Sequence, residues 1–225
     1  PPTRPPAHII MSTATALATL PPGLVWQARQ LAQQQGPVLP TGHAALDAEL
    51  PGGGWPGAGI IELLHDHPGI GELSLLLPVL CQGASRRWQA WICPPWQPYA
   101  PALQAAGIDL DAVLLITPDN PAAALWACRQ TLASGNCSAV LAWLPRIDNT
   151  GLRRLQLASE DGATPLFLFR SRNSARQPSP APLRLALSGA NGQLRIDIVK
   201  RRGPLSHRPV LLPYASLMHG SSCAG

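Results

Sequence analysis

Residues Asp66, His67, Pro68, Gly69, Ile70, Gly71, Glu72 and Leu73 follow an apolar run at 59–64 and precede a second one. That is where an α/β protein places a phosphate loop: strand, GxxxxGK[ST], helix. Gly69 and Gly71 would allow a tight turn with free backbone N–H groups. The other positions carry the wrong chemistry. Glu72 stands where a lysine would neutralise the β- and γ-phosphates, Leu73 where a hydroxyl would hold Mg²⁺, and Asp66 where the first glycine belongs. Carboxylates facing a triphosphate repel it. No register shift supplies the cation, because Lys200 is the only lysine in the chain. Two readings of the glycines stay open: a plain strand-to-helix turn, or residual anion binding at a helix N-terminus starting near Gly71.

The remaining hydrolytic positions are also empty of the needed groups. A metal-positioning Asp should end the run Val140-Leu141-Ala142, yet Trp143 and Leu144 follow; an acid should follow Trp91-Ile92, yet Cys93-Pro94-Pro95-Trp96 does. Mg²⁺ and general-base roles need carboxylates within reach. No catalytic residue, no cofactor and no enzymatic activity are therefore expected. Five cysteines show no CxxC pair, and His43, His65 and His67 lack metal spacing, so no metal is expected either.

The elements that would position this loop are short and alternate in type. Strands are expected at 59–64, 88–93, 112–117, 138–144 and 165–169, and helices at 23–35, 71–84, 98–106, 121–133 and 151–159. Short apolar strands separated by helices imply crossovers and a mostly parallel sheet covered on both faces. Beyond Arg170 the loop 171–182 is polar, basic and Pro-rich. Strict alternation at 183–187 and 194–198, joined by Ser188-Gly189-Ala190-Asn191-Gly192, then predicts an antiparallel β-hairpin. The expected organisation is a segment 1–22, disordered or upstream of the true start, an N-terminal helix and linker 23–40, a core 41–203 ending in the hairpin, and a flexible tail 204–225.

Composition is that of a globular chain: 225 residues, 46% hydrophobic and 13% charged. No apolar run has membrane-spanning length and no secretory signal is present, so a cytoplasmic location is expected. The net charge of +5 is unevenly placed. From Arg146 to Arg208 there are 12 basic and 4 acidic residues; before Arg146 there are 5 and 8. A basic C-terminal third suggests an anionic partner, unless these arginines are ordinary solvated surface.

Thr41-Gly42-His43-Ala44-Ala45-Leu46-Asp47, Gly53-Gly54-Trp55-Pro56-Gly57 and Ile61-Glu62 resemble the lead-in to the RecA core. Within that group the chain resembles the SulA/ImuA proteins, and ImuA more closely. The residues that carry the likeness include Leu50-Pro51-Gly52-Gly53-Gly54-Trp55-Pro56, Gly69-Ile70-Gly71-Glu72-Leu73, Pro94-Pro95-Trp96-Gln97-Pro98-Tyr99 and Lys200-Arg201-Arg202-Gly203. The resemblance implies a RecA-like α/β core with helices on both faces. It also implies a non-catalytic scaffold of SOS-induced translesion DNA synthesis. Its partners would be RecA, an ImuB-like Y-family polymerase homologue and an error-prone C-family polymerase, with single-stranded DNA a further contact. The alternatives are a SulA-like inhibitor of cell division acting on the tubulin-like protein FtsZ, and a divergent ATPase.

Each candidate partner-binding residue has a plainer role beside the functional one. Trp26 is a docking anchor or a cover for the domain's own core. Arg170, Arg172 and Arg176, placed like the second DNA-binding loop of RecA, would meet phosphates or an acidic protein patch. Lys200, Arg201 and Arg202 end the hairpin, where they would bind a partner or block edge pairing. Trp96 and Tyr99 would stack on a ligand at a strand end, or pack their own loop.

Overall fold

A computed structural model describes residues 36–82, 87–204 and 208–219. The chain divides between Gln34 and Gln35, and all the described residues belong to the second unit. The expected helix at 23–35, Trp26 upon it and the segment 1–22 lie outside the described residues.

The order of elements is β1 (Val38–Leu39), α1 (Ala44–Asp47), β2 (Trp55–Pro56), β3 (Gly59–His65), α2 (Leu77–Gln82), β4 (Trp88–Ile92), α3 (Ala100–Ala105), β5 (Val113–Ile116), α4 (Pro121–Ala133), β6 (Cys137–Trp143), α5 (Asn149–Asp161), β7 (Pro165–Ser171), β8 (Leu183–Ala190), β9 (Gln193–Lys200), β10 (Val210–Pro213) and α6 (Tyr214–His219). Eight strands form one sheet in the order β10-β9-β8-β3-β7-β6-β4-β5. The run from β8 to β5 is parallel, whereas β9 and β10 are antiparallel additions.

β3 lies between β7 and β8, and all seven of its residues are buried. A strand covered on both faces reads as a continuous apolar run, which is why 59–64 was legible. One face of the sheet receives α4 and α5, each of 13 residues. Ala124, Cys128 and Leu132 of α4 and Leu152, Leu155 and Ala158 of α5 join Ile60, Val140, Leu166 and Leu168 in one core. Both helices are capped as their sequences suggest. Asn120 accepts from the Ala123 amide at 2.9 Å and Asp148 from the Gly151 amide at 2.7 Å. Helix α5 also fixes the start of β3: Gln156 accepts from the Ile60 amide at 2.9 Å and Ser159 from the Gly59 amide at 2.7 Å.

The opposite face corrects the expected RecA-like core with helices on both faces. The sheet is mixed, and among the described residues this face carries the four- and six-residue helices α1, α2, α3 and α6, with turns between them. The helix expected at 71–84 begins only at Leu77. Gly71 sits at φ +95°, outside helical space, and residues 72–76 form turns. Pro78, which has no N–H to give, fits the first turn of a helix and not its interior. The core on this face adds aromatic rings to its aliphatic side chains: Trp55 meets Phe167 edge-on at 5.5 Å, and Trp143 stacks on Phe169 at 4.4 Å.

Two further expectations are corrected. The tail expected to be flexible from 204 onward contains β10, which pairs with β9 from Val210↔Ile196 to Pro213↔Gln193. Its Val210 and Leu212 alternate into the core and supply the reason for order. The hairpin is longer than the alternating residues alone suggested. It turns at Asn191 and Gly192, whose φ values of 48° and 73° suit a primed two-residue turn.

The centre of the sheet holds a buried charge cluster. Glu62 on β3 is fully buried; its carboxylate accepts from Arg184 Nε at 2.6 Å and from Arg170 Nη1 at 3.2 Å. Ser179 adds a hydroxyl to Oε1 at 2.6 Å. Removing one member of a buried, hydrogen-bonded charge cluster strands the others in low dielectric. Glu62→Leu, which leaves two arginines without a counter-charge, is expected to lower unfolding free energy by about 3–5 kcal/mol in urea denaturation. A loss below about 1 kcal/mol, the range of exposed pairs, would contradict that account.

Candidate functional site

The turn at 66–73 sits beyond the carboxyl end of β3, where ligands of open α/β sheets bind. Asp66, His67, Pro68 and Gly69 are exposed, Ile70, Gly71 and Leu73 half-buried, and Glu72 buried. Glu72 folds back on its own loop: Oε1 accepts from the Gly69 amide at 2.7 Å. A backbone donor of the kind that cradles phosphate is thereby already bonded to a carboxylate of the same turn. The other oxygen, Oε2, is buried without a hydrogen-bond partner. Gly71 is required by proximity as well as by φ, since a Cβ there would lie 3.1 Å from the Tyr214 ring.

The turn forms one wall of a cavity of about 530 Å³. Trp91 and Trp143, at the ends of β4 and β6, form its floor side. Trp96 and Pro98, from the loop after β4, and Tyr214 of α6 complete it. Trp96 is 73% exposed at the mouth, and Tyr99 beyond it is 72% exposed. Sequence reasoning had nominated Trp96 and Tyr99 for stacking. It had noted Trp143 only as an aspartate missing, and it passed over Trp91 and Tyr214. The available signal was the recurrence of tryptophan at two neighbouring strand ends. Beside this cavity a second cleft, of about 410 Å³, is lined by His65, Asp66, Cys93, Trp143 and Arg170 among others.

The nominated arginines separate into two groups. Arg170 is no surface cation: it is 3% exposed, paired to Glu62, and bonded through Nη2 to Gln177 Oε1 at 3.1 Å and the Ile147 carbonyl at 3.3 Å. The basic loop is likewise held down. Arg184 donates to the carbonyls of Ser174 at 2.7 Å, Gln177 at 3.1 Å and Ala175 at 3.3 Å. Within the loop Arg172 is half-buried and Arg176 exposed. In the hairpin run Lys200 donates to the Ser179 carbonyl at 2.8 Å, and Arg201 bonds the carbonyls of Glu49 and Pro204. Arg202 alone of those three is exposed. The structure thus brings Arg170, Lys200 and Arg201 into internal bonding and leaves Arg172, Arg176 and Arg202 apart from the cavity's lining.

Among the described residues no three His, Cys, Asp or Glu side chains gather as a metal group, and no helix is long and apolar enough to cross a membrane. Cys81, Cys128 and Cys137 are buried thiols, and burial raises the Cys128 thiol far above the usual range.

The fold and this site define an α/β domain with an aromatic cavity beyond the carboxyl end of β3. A family model described as "Cell division inhibitor SulA" matches residues 59–165, from the first residue of β3 to the first of β7. The cell division inhibitor SulA of Erwinia pyrifoliae is 37% identical over 128 residues, spanning 55% of this chain and 75% of that protein. The SulA of Photorhabdus laumondii is 32% identical over 111 residues, 49% of this chain and 63% of that protein. The crystal structure of SulA from Pseudomonas aeruginosa is similar at 27% identity and a TM-score of 0.42, covering 50% of this chain and 97% of that one. The chain belongs to the SulA family.

This finding corrects the functional expectation. The ImuA reading, and with it the translesion-synthesis role and the RecA, ImuB-like, C-family polymerase and single-stranded DNA partners, is replaced by the cell-division-inhibitor alternative. Several motifs that carried the ImuA likeness, Leu50–Pro56 and Lys200–Gly203 among them, lie outside the matched span. A family named for inhibition agrees with the expected absence of enzymatic activity.

Two histidines beside these walls make stability depend on pH. Burial lowers the pKa of His65, against the opposing charge of Glu72, and burial likewise lowers that of His43. With folded pKa values below the unfolded 6.5, the unfolded chain takes up protons first on acidification. Their contribution is complete above about 6.5 and declines below it. The urea midpoint is expected to drop between pH 7.5 and 5.5, and to drop less in His65→Gln. An unchanged slope in that variant would remove His65 from the account.

Proposed function

We propose that the protein inhibits cell division by binding the tubulin-like protein FtsZ in the cytoplasm, with no chemistry of its own. The observation that carries this reading is the 37% identity to a protein named as a cell division inhibitor, over 75% of its length. The matched span includes β3, the turn at 66–73, β4 and β6, which hold the cavity. The turn itself supports a role without nucleotide. Its Gly69 amide is taken by Glu72, and the chain's single lysine is bonded to the Ser179 carbonyl, on the hairpin. Arg176 and Arg202, exposed on the basic third, are proposed as peripheral contacts to an acidic partner face.

Two measurements test the proposal. Purified protein added to FtsZ with GTP is expected to suppress GTP hydrolysis in proportion to its concentration, and its expression should produce filamentous cells. Unchanged hydrolysis together with normal cell length would overturn the reading. Equilibrium titration with ATP, with and without Mg²⁺, is expected to show no saturable binding; micromolar affinity with turnover would restore an ATPase.

A further inference from the structure

The geometry points to the aromatic cavity at the turn 66–73 as a receptor for an arginine side chain carried by a partner protein. The inference does not depend on which protein carries that arginine.

Among the described residues, Glu72 is the one charged side chain that lines the cavity. It is 7% exposed, and its Oε2 has no hydrogen-bond partner. A carboxylate oxygen closed away from water without a donor is costly, and a cation brought against that wall offsets the cost. Among the described residues no lysine, arginine or histidine contributes to the lining, and His65, the imidazole within reach of the Glu72 charge, lies in the neighbouring cleft with its pKa lowered by burial. An anionic ligand would meet the same uncompensated field with the opposite sign.

The rest of the wall selects among cations. Trp96, Trp143 and Tyr214 line about 530 Å³ with the buried Trp91 behind them in the same aromatic layer, and Trp143 has one face taken by Phe169. Such faces attract cations, tryptophan most strongly. A guanidinium is planar, stacks on aromatic rings, is more weakly hydrated than an ammonium and can donate to a carboxylate from its edge. Lysine would lose more hydration for fewer of these contacts. Trp96 at the mouth, 73% exposed, is the residue type that dominates protein interfaces and is free to close over the arriving chain. That exposure favours a side chain projecting from a protein surface over a small free metabolite.

The test uses the full chain, its intrinsic tryptophan fluorescence and N-acetyl-arginine amide as probe. N-acetyl-citrulline amide, uncharged and nearly the same shape, and adenosine serve as comparisons. The arginine probe is expected to change the emission saturably, and the other two are not. In Glu72→Gln, which can still accept from the Gly69 amide, the arginine affinity should fall about tenfold, because the cation then loses the attraction of a charge just behind the wall. Trp96→Ala removes an exposed side chain and should weaken the probe comparably while leaving the urea midpoint unchanged. It therefore decides the matter even if Glu72→Gln is poorly folded. No saturable response to arginine, an equal response to citrulline, saturable adenosine binding, or arginine affinity unaltered by Trp96→Ala would each overturn the inference.

Discussion

A single carboxylate at the middle of the sheet organises much of what surrounds it. Glu62 occupies a strand position that an apolar residue would normally fill, and two guanidiniums reach its carboxylate at full burial. A buried cluster of this kind contributes little net stability over a hydrophobic replacement, and its usual benefit is to fix which elements meet. Here it fixes three adjacent strands. Arg170 comes from β7 on one side of β3 and Arg184 from β8 on the other, in register with Glu62 itself. The second donor edges of both arginines then bind the loop between β7 and β8. A segment with no periodicity in its sequence is thus strapped across the end of the sheet by Ser174, Gln177 and Ser179.

The two faces of the sheet follow different logics. On the helical face, α4 and α5 present small and branched residues at helical spacing, and the packing there is aliphatic. On the other face the helices are too short to cover the strands alone, and large rings fill the gap. Trp143 stacks on Phe169 and lies 6.2 Å from Trp91, so the same aromatic layer that closes the core becomes the floor of the cavity. The helix after the turn at 66–73 starts only at Leu77, and the turn residues Gly69 to Ser74 line that cavity. A helix begun at Gly71 would have aimed its N-terminal amides at a ligand. The turn that stands there uses an internal carboxylate in its place.

The legible parts of the sequence were those in which local chemistry and fold agree. Pro121 behind the capping Asn120 placed the start of α4, and Gly135 placed its end. Alternation around Asn191-Gly192 gave the hairpin. The illegible parts were settled at long range. The Glu62 to Arg184 pair joins residues 122 apart, so the arginines of a basic third read as surface charges when two of them are internal. Glu62 within an unbroken apolar strand was the sign that a buried cation would be needed. In the helix expected at 71–84, Pro78 was the sign that the helix had to begin late. The turn at 66–73 was read correctly for composition, but the self-directed bond of Glu72 depends on a backbone path that composition does not specify.

The family match ends at Pro165, and this has a physical consequence. Glu62 lies within the matched span, while Arg170, Arg184 and Ser179 all lie beyond it. The C-terminal strands cannot therefore be a loose addition to a self-sufficient inhibitor domain. Without β8 the strand β3 would expose one edge, and without the two arginines its carboxylate would be buried and uncompensated. The hairpin and β10 also supply Leu194, Ile196 and Leu212 to the aromatic-face core, and α6 carries Tyr214 to the cavity wall. The matched span and the segment after it share one core and one charge cluster. The cavity wall is likewise built from both, residues 69–98 and Trp143 on one side of the boundary and Tyr214 on the other.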